Sequence, residues 1–407
     1  MKEKYLSRGE FLFFIALAIY MLAKTIELSS VFYEVSMMPS IMKILRYISY
    51  AIIFVKLLYD AKYLESEMLK IVAVILILGI ISLNFGNNIL FCSFLFIIAA
   101  RNLNVEKLIK AAVYIQILLT ICMAGLSYFG VITDWTYDLE GRNRHSLGYL
   151  YPSYISSIFF YVTLAYLFIR RKKVRFLEVV FIGFINVIIF HLTDSKTSFA
   201  MVFLAVIVLW VMKFHKKRLE RGFLSKLLYV YSIPFIAVIS ILACYLYNEG
   251  NRILVLINSF INNRLIMGHN ALLEYGLSLF GKRISWTGYG GLGYLSSSLQ
   301  DEYNFVDCSY VKILLDYGVI FFIIMILGYM LVAKRAIEKN DRYMCMCILF
   351  MCIYSMIEPR IIEFGFNPFV LTLSALFGKN IVDDGHEDEA LSVNVCSIEM
   401  QSTSGGV

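Results

Sequence analysis

Charged residues are scarce in this chain, and long apolar runs take their place. Asp, Glu, Lys and Arg make up 16% of the 407 residues, hydrophobic residues make up 60%, and the mean hydropathy is +0.73. A water-soluble domain carries about a quarter charged residues, so this composition indicates a membrane protein. The apolar runs are too long for the alternating strands of a transmembrane barrel. We therefore predict an all-α polytopic membrane protein.

Paired cysteine spacings are also absent from the sequence. The eight cysteines form no Cys-x-x-Cys, and most lie inside apolar runs, where a thiol acts as a small apolar filler. The sequence therefore predicts no metal site, and no cofactor is expected. It shows no convincing signal-peptide cleavage site, so we expect the first apolar run to be retained as a span.

The apolar runs predict about twelve transmembrane helices, each needing roughly 20 apolar residues. The predicted spans are 11–29, 41–59, 68–84, 87–100, 107–129, 147–169, 176–192, 197–213, 227–247, 309–333, 343–357 and 361–379. Lys and Arg concentrate in alternate loops, including 170–175 and 213–226. The positive-inside rule makes those loops cytoplasmic. Both termini are then cytoplasmic, and the net charge of +7 needs no nucleic-acid partner.

Two regions follow from this pattern. Residues 1–379 form a single transmembrane domain with a large extracytoplasmic loop at about 249–308 that contains short helices, and residues 380–407 form a disordered, acidic cytoplasmic tail. In the loop, apolar residues recur every three or four positions from Leu254 to Leu272. This spacing predicts a helix along the membrane surface with a bend at Gly268. The second half of the loop is rich in aromatic residues, which suit a carbohydrate face and a membrane interface equally.

Basic side chains on the predicted outer face need their own explanation, because the outer loops are otherwise poor in them. Among them, the candidates for binding a substrate are Arg142, Arg144, Lys196, Arg264 and Arg360. One explanation is that they snorkel to lipid headgroups. The other is that they converge on a bound anion such as a lipid-linked diphosphate, whose oxygens match the guanidinium fork of arginine.

Three side chains on the same predicted face are candidates for proton transfer. They are His269, Asp307 and Glu358. A hydroxyl that attacks a sugar needs a base to take its proton, whereas a diphosphate leaving group needs cations. A hydrogen-bonded structural role is the alternative for His269. His145, Asp194 and Tyr310 are candidates for contacts with the acceptor or its sugar.

Four short segments resemble Wzy-type polysaccharide polymerases, within the wider O-antigen ligase/polymerase superfamily. They are Asn-Arg-His-Ser-Leu-Gly-Tyr-Leu-Tyr-Pro-Ser at 143–153, Thr-Asp-Ser-Lys-Thr-Ser at 193–198, Leu-Phe-Gly at 279–281, and Asp-Cys-Ser-Tyr with Leu-Leu-Asp-Tyr-Gly at 307–310 and 314–318. The order of spans and the large outer loop match the same family. Lys196 departs from it, because the family often has Arg there and Lys lacks the bidentate fork.

The resemblance implies a metal-independent glycosyltransferase of the bacterial cytoplasmic membrane. Its substrate would be an undecaprenyl-diphosphate-linked oligosaccharide, polymerised into a capsule, an exopolysaccharide or an O-antigen. Arginines of the outer loops would hold the diphosphate, and a chain-length regulator and a flippase would be partners. Two alternatives stay open: a polysaccharide ligase of the same fold, and a lipid-linked oligosaccharide flippase or transporter. The nearly charge-free span interiors argue against the flippase.

Overall fold

The fold is known from a computed structural model that describes residues 7–60, 65–139, 141–214, 222–288 and 304–378, without the side chains of Ser66, Leu139 and Arg142. The predicted acidic tail at 380–407 lies outside these residues. Within them the chain is almost entirely helical. Its helices are α1 (Arg8–Glu27), α2 (Val31–Glu34), α3 (Met38–Tyr59), α4 (Glu65–Phe85), α5 (Ile89–Ala99), α6 (Val105–Tyr128), α7 (Ser153–Arg170), α8 (Phe176–Thr193), α9 (Lys196–Met212), α10 (Phe223–Lys226), α11 (Ser232–Tyr245), α12 (Arg252–Phe260), α13 (Arg264–Tyr275), α14 (Ser309–Glu338) and α15 (Arg342–Tyr354).

Seven helical segments among the described residues are long and apolar enough to cross a membrane. They are Arg8–Glu27, Glu67–Phe85, Val105–Tyr128, Ser153–Lys173, Phe176–Thr193, Phe223–Tyr245 and Ser309–Glu338. Three shorter apolar helices are Ile89–Ala99, Lys196–Met212 and Arg342–Tyr354. An all-helical membrane protein is therefore supported, whereas the predicted count of twelve spans is not confirmed.

The last predicted span, at 361–379, is not an α-helix in the structure. Its regular part is a nine-residue 3₁₀ helix, Pro368–Leu376, that begins at a proline and packs inside the bundle. At a rise of about 2.0 Å per residue this helix is roughly 18 Å long, which is shorter than the apolar core of a bilayer. The uniformly apolar sequence of this segment could not distinguish a span from a buried segment.

Two other features differ from the prediction. A short antiparallel hairpin pairs β1 (Thr136–Leu139) with β2 (Arg142–His145) before α7, placing Tyr137 opposite Arg144. In the long loop, α13 continues unbroken past Gly268, so the predicted bend at that residue is wrong. The chain turns instead at Asn262 and Asn263, which both have positive φ angles, a conformation that asparagine adopts more readily than most residues.

The basic loops meet at one end of the bundle. Arg171, after α7, pairs with Asp341, which precedes α15, across 2.9 Å, and lies 3.7 Å from Glu106 at the start of α6. Lys213, after α9, donates to the carbonyl of Val174. We call this the basic end. The long loop and the motifs of the resemblance lie at the opposite end, where α8, α11 and α15 finish and α7, α9 and α14 begin.

Candidate functional site

Two arginine–carboxylate pairs lie close together at the end opposite the basic end. Arg264, the first residue of α13, donates from Nε to Asp307 Oδ2 over 3.1 Å. Arg360, in the segment after α15, donates from Nη1 to Glu358 Oε1. The charges of the two pairs act on each other, so that the Glu358 carboxylate favours a higher pKa of Arg264 and the Asp307 carboxylate favours a higher pKa of Glu358. The structure thus brings together four predicted site residues from three separate segments.

Arg264 has unused hydrogen-bonding capacity within this cluster. Its Nη1 atom is buried and has no hydrogen-bond partner among the described residues, although its Nε atom is paired with Asp307. Burial alone would lower the pKa of Arg264, but Asp307 and Glu358 outweigh it and raise the pKa above its ordinary value. Since a buried donor without a partner is costly, this atom points to a ligand acceptor.

Asn258 of α12 fixes the helix that carries Arg264. Its Oδ1 atom accepts from the backbone N–H groups of Leu265 and Ile266, over 3.0 and 3.2 Å. Those groups belong to the first turn of α13, where backbone donors have no partner within the helix. Asn258 also donates to Asn263 Oδ1, so one buried side chain joins α12, the turn and α13. The position of Arg264 therefore depends on α12.

Glu358 is held by a buried hydrogen-bond network. Its Oε2 atom accepts from Ser157 of α7 over 2.7 Å, and Ser157 also contacts the hydroxyl of Tyr354 at 2.9 Å. The same hydroxyl lies 2.7 Å from Ser198 of α9, so α7, α9 and α15 meet at Tyr354. Burial raises the pKa of Glu358 above its ordinary value, while Arg360 and Ser157 lower it. Sequence reasoning missed these partners, because serine and tyrosine inside apolar helices look like ordinary core residues.

Arg360 is held by aromatic rings as well as by Glu358. Its guanidinium carbon lies 4.3 Å from the ring centre of Tyr154 and 4.6 Å from that of Phe366. A guanidinium over aromatic faces gains cation–π attraction, which compensates part of the cost of burying the charge. Ser309, the first residue of α14, donates to the carbonyl of Glu358 and accepts from the backbone of Ile361. The segment that carries both charges is therefore rigidly attached to α14.

Arg144 is connected to the same region by hydrogen bonds that lead through Thr193 to α7. It donates from Nε to the carbonyl of Thr193 over 2.8 Å and lies over the ring of Tyr151. Thr193 in turn bonds Ser156, the neighbour of the Ser157 that holds Glu358. Lys196 is exposed at the start of α9, three residues after Thr193. Contacts thus link Arg144 to the cluster, and Lys196 lies at its edge, beyond the reach of these contacts.

The hydrogen bonds of His269 and Tyr310 go to other partners than the cluster. His269 bonds the carbonyls of Cys244 and Tyr245 through Nδ1, at 3.1 and 3.2 Å, so it caps the end of α11. A carbonyl only accepts, so Nδ1 carries the proton. Tyr310 is fully buried and donates to the carbonyl of Cys352, so its hydroxyl is not placed to meet a sugar.

His145 and Arg144 are neighbours in a strand, where successive side chains point to opposite faces. His145 bonds Asp134 at 2.7 Å, away from the contacts of Arg144. Asp194 is half-buried with φ +47° and links α8 to α9. Arg142 lies in β2, and its side chain is outside the described atoms.

The long loop is attached to α14 by two glycines. Gly281 (φ +78°) and Gly318 (φ +83°) lie back to back, and a Cβ on Gly318 would stand 2.3 Å from the nitrogen of Gly281. The α14 helix is broken at Gly318, and the freed N–H groups of Val319 and Ile320 donate to the carbonyls of Ser278 and Leu279. The Leu-Phe-Gly and Leu-Leu-Asp-Tyr-Gly segments noted in the sequence are thus in direct contact.

The charges of the cluster balance, because its two arginines are paired with two carboxylates. A bound anion would therefore rely on the unused Nη1 of Arg264, with Arg144 as the further predicted cation whose contacts lead to the cluster. No group of His, Cys, Asp and Glu able to hold a metal ion occurs among the described residues. No family model matches this chain, and neither characterised proteins nor solved structures give a match.

Proposed function

We propose that this protein polymerises undecaprenyl-diphosphate-linked oligosaccharide repeats by glycosyl transfer at the outer face of the bacterial cytoplasmic membrane. The observation that carries the proposal is the cluster of Arg264, Asp307, Glu358 and Arg360 at the end of the bundle away from the basic loops. The resemblance to Wzy-type polymerases supports the same conclusion, because one of its segments contains Asp307 and two others contain Arg144 and Thr193, whose contacts lead to the cluster.

In the proposed reaction a hydroxyl oxygen of the acceptor repeat attacks the anomeric carbon of the donor chain. A new C–O glycosidic bond forms, the bond between that carbon and the diphosphate oxygen breaks, and its electron pair stays on the diphosphate. Arg264 stabilises the departing charge through Nη1 while Nε stays on Asp307. Cations aimed at developing negative charge are a large part of catalysis in such transfers.

Asp307 is the best placed of the three predicted proton acceptors. Its side chain is 27% exposed, whereas that of Glu358 is 5% exposed and has both oxygens engaged by Arg360 and Ser157. His269 is turned to the end of α11. Asp307 therefore takes the proton of the attacking hydroxyl, and Glu358 positions Arg360.

The decisive experiment replaces Arg264 in a strain that lacks the chromosomal gene. We expect Arg264→Ala to leave single lipid-linked repeats and no long polymer, with normal protein in the membrane. Arg283→Ala, which removes an exposed arginine from the same loop, is the control and should retain long polymer. Wild-type chain lengths in Arg264→Ala would remove Arg264 from the site.

The phenotype of the deletion strain also distinguishes a polymerase from a ligase of the same fold. Loss of a polymerase leaves single repeats on the carrier, whereas loss of a ligase leaves long polymer on the carrier lipid. A flippase would be recognised by movement of the lipid-linked repeat across liposomes without polymer formation.

A further inference from the structure

Helix α12 has three distinct faces. Ile253, Leu256 and Phe260 share one face at helical spacing and are strongly exposed, with Leu256 71% and Phe260 82% accessible. Asn258 lies on a second face and is buried against the protein. Arg252 and Ser259 are exposed on the third face, which lies about 60° around the helix from Leu256 and about 100° from Phe260, and which we call the water face. Three apolar side chains this exposed on one face of a short helix indicate that a partner covers the face.

The surroundings of α12 indicate which partner covers this face. The preceding helix, α11, exposes Phe235, Val238, Leu242 and Tyr245 in an apolar surface that leads directly to α12. At the junction lies an open depression of about 670 Å³, lined by Leu246, Asn248, Gly250, Asn251, Arg252 and Ile253. Apolar side chains continuous with a spanning surface, next to an arginine and amides, match the boundary between acyl chains and headgroups.

We propose that α12 is a phospholipid anchor that inserts Ile253, Leu256 and Phe260 into the bilayer surface and thereby positions Arg264. The connection is Asn258, which lies on the protein face of α12 and holds the first turn of α13 through two N–H groups. Insertion of α12 into lipid fixes the position of Asn258. Asn258 in turn fixes the position of α13, the helix that begins with Arg264. The anchoring is independent of any reaction, whereas its effect on Arg264 rests on the proposed function.

Photo-crosslinking tests the anchoring directly. The photoreactive residue benzoyl-phenylalanine replaces Leu256 or, as a control about 100° around the helix, the exposed Val255. The full-length protein is reconstituted in vesicles of phosphatidylethanolamine and phosphatidylglycerol, irradiated and examined by mass spectrometry. We expect phospholipid adducts at position 256 at least about tenfold above those at position 255. Equal or absent lipid adducts would overturn the anchor, as would a protein adduct at position 256 in cells, which would assign the face to a protein partner.

A second measurement tests the effect on the site. Phe260→Asp places a charge on the lipid face, and Ser259→Asp places the same charge on the water face. We expect Phe260→Asp to shorten the polymer severalfold at normal membrane levels and Ser259→Asp to leave it unchanged. Lipid adducts combined with unchanged polymer in Phe260→Asp would overturn the link to Arg264 and leave the proposed function intact. Absence of polymerase activity in the unsubstituted protein would instead refute the proposed function.

Discussion

The guanidinium group of Arg264 has one nitrogen that is paired and one that is not, among the residues that the structure describes. Nε holds Asp307, which keeps the carboxylate in place, and the buried Nη1 remains for a ligand. The sequence predicted Arg264, Arg360, Asp307 and Glu358 as site residues, because charges near span ends are costly without a role. The sequence could not predict which arginine pairs with which carboxylate, because Asp307 and Glu358 carry the same ionisable group. Only the structure shows that Glu358 is the more buried of the two.

The raised pKa of Glu358 gives a prediction about stability and pH. The folded pKa lies above the ordinary value of 4.5, chiefly through burial. A carboxyl with a raised folded pKa stabilises the fold fully below its unfolded pKa, and this contribution is lost as pH rises through the folded value. Glu358→Gln removes that titration. We therefore expect the Tm of Glu358→Gln in detergent to rise relative to wild type as pH increases from about 4.5. A constant difference across pH would contradict this assignment.

At the scale of the element, the sequence predicted helices well and interruptions poorly. The long apolar runs contain helices at nearly the predicted places, since only a helix satisfies the backbone of such a run in lipid. The sequence predicts a bend at Gly268, because glycine is the commoner helix breaker, but the turn lies at Asn262 and Asn263. Gly268 instead provides close packing, since a Cβ there would stand 2.6 Å from the sulfur of Cys244.

The glycine contact between the loop and α14 gives an element-scale prediction. A Cβ on Gly281 would stand 2.2 Å from the carbonyl oxygen of Asp316, and its φ is +78°. Gly276 is the matched control, because its φ is +62° and nothing lies within 4 Å of its Cβ position. We expect Gly276→Ala to cost about 1–3 kcal/mol from backbone strain alone, because its ψ of 176° places it in a region almost limited to glycine. Gly281→Ala should cost about 1–3 kcal/mol more from overpacking. Thermal unfolding in detergent measures both, and equal Tm values would refute the contact.

At the scale of the whole molecule, the segregation of charge was visible in the sequence and the number of spans was not. The ion pairs of Arg171 with Asp341 and Glu106 gather the basic loops at one end of the bundle. Periodicity could not show that Pro368–Leu376, within the last predicted span, packs as a buried 3₁₀ helix, because a core segment and a span have the same apolar composition.

Membrane orientation follows as a prediction for the whole chain. The positive-inside rule puts the basic end in the cytoplasm and the site at the outer face. Alkaline phosphatase, which is active only outside the cytoplasm, is inserted after Glu249 in one fusion and after Lys172 in another. We expect activity from the first and none from the second. The reverse pattern would place the site inside and exclude an extracytoplasmic transfer.

The contact of Gly281 with Gly318 has a consequence for exchanging parts between related chains. Each glycine approaches the backbone of the other segment, so a bulkier residue at one position is not compensated by any side chain at the other. The outer segment can therefore be transplanted only into a protein that has glycine at the position of Gly318. Chimaeras divided between residues 281 and 318 should assemble when both parents have the two glycines and fail when either parent has a bulkier residue there.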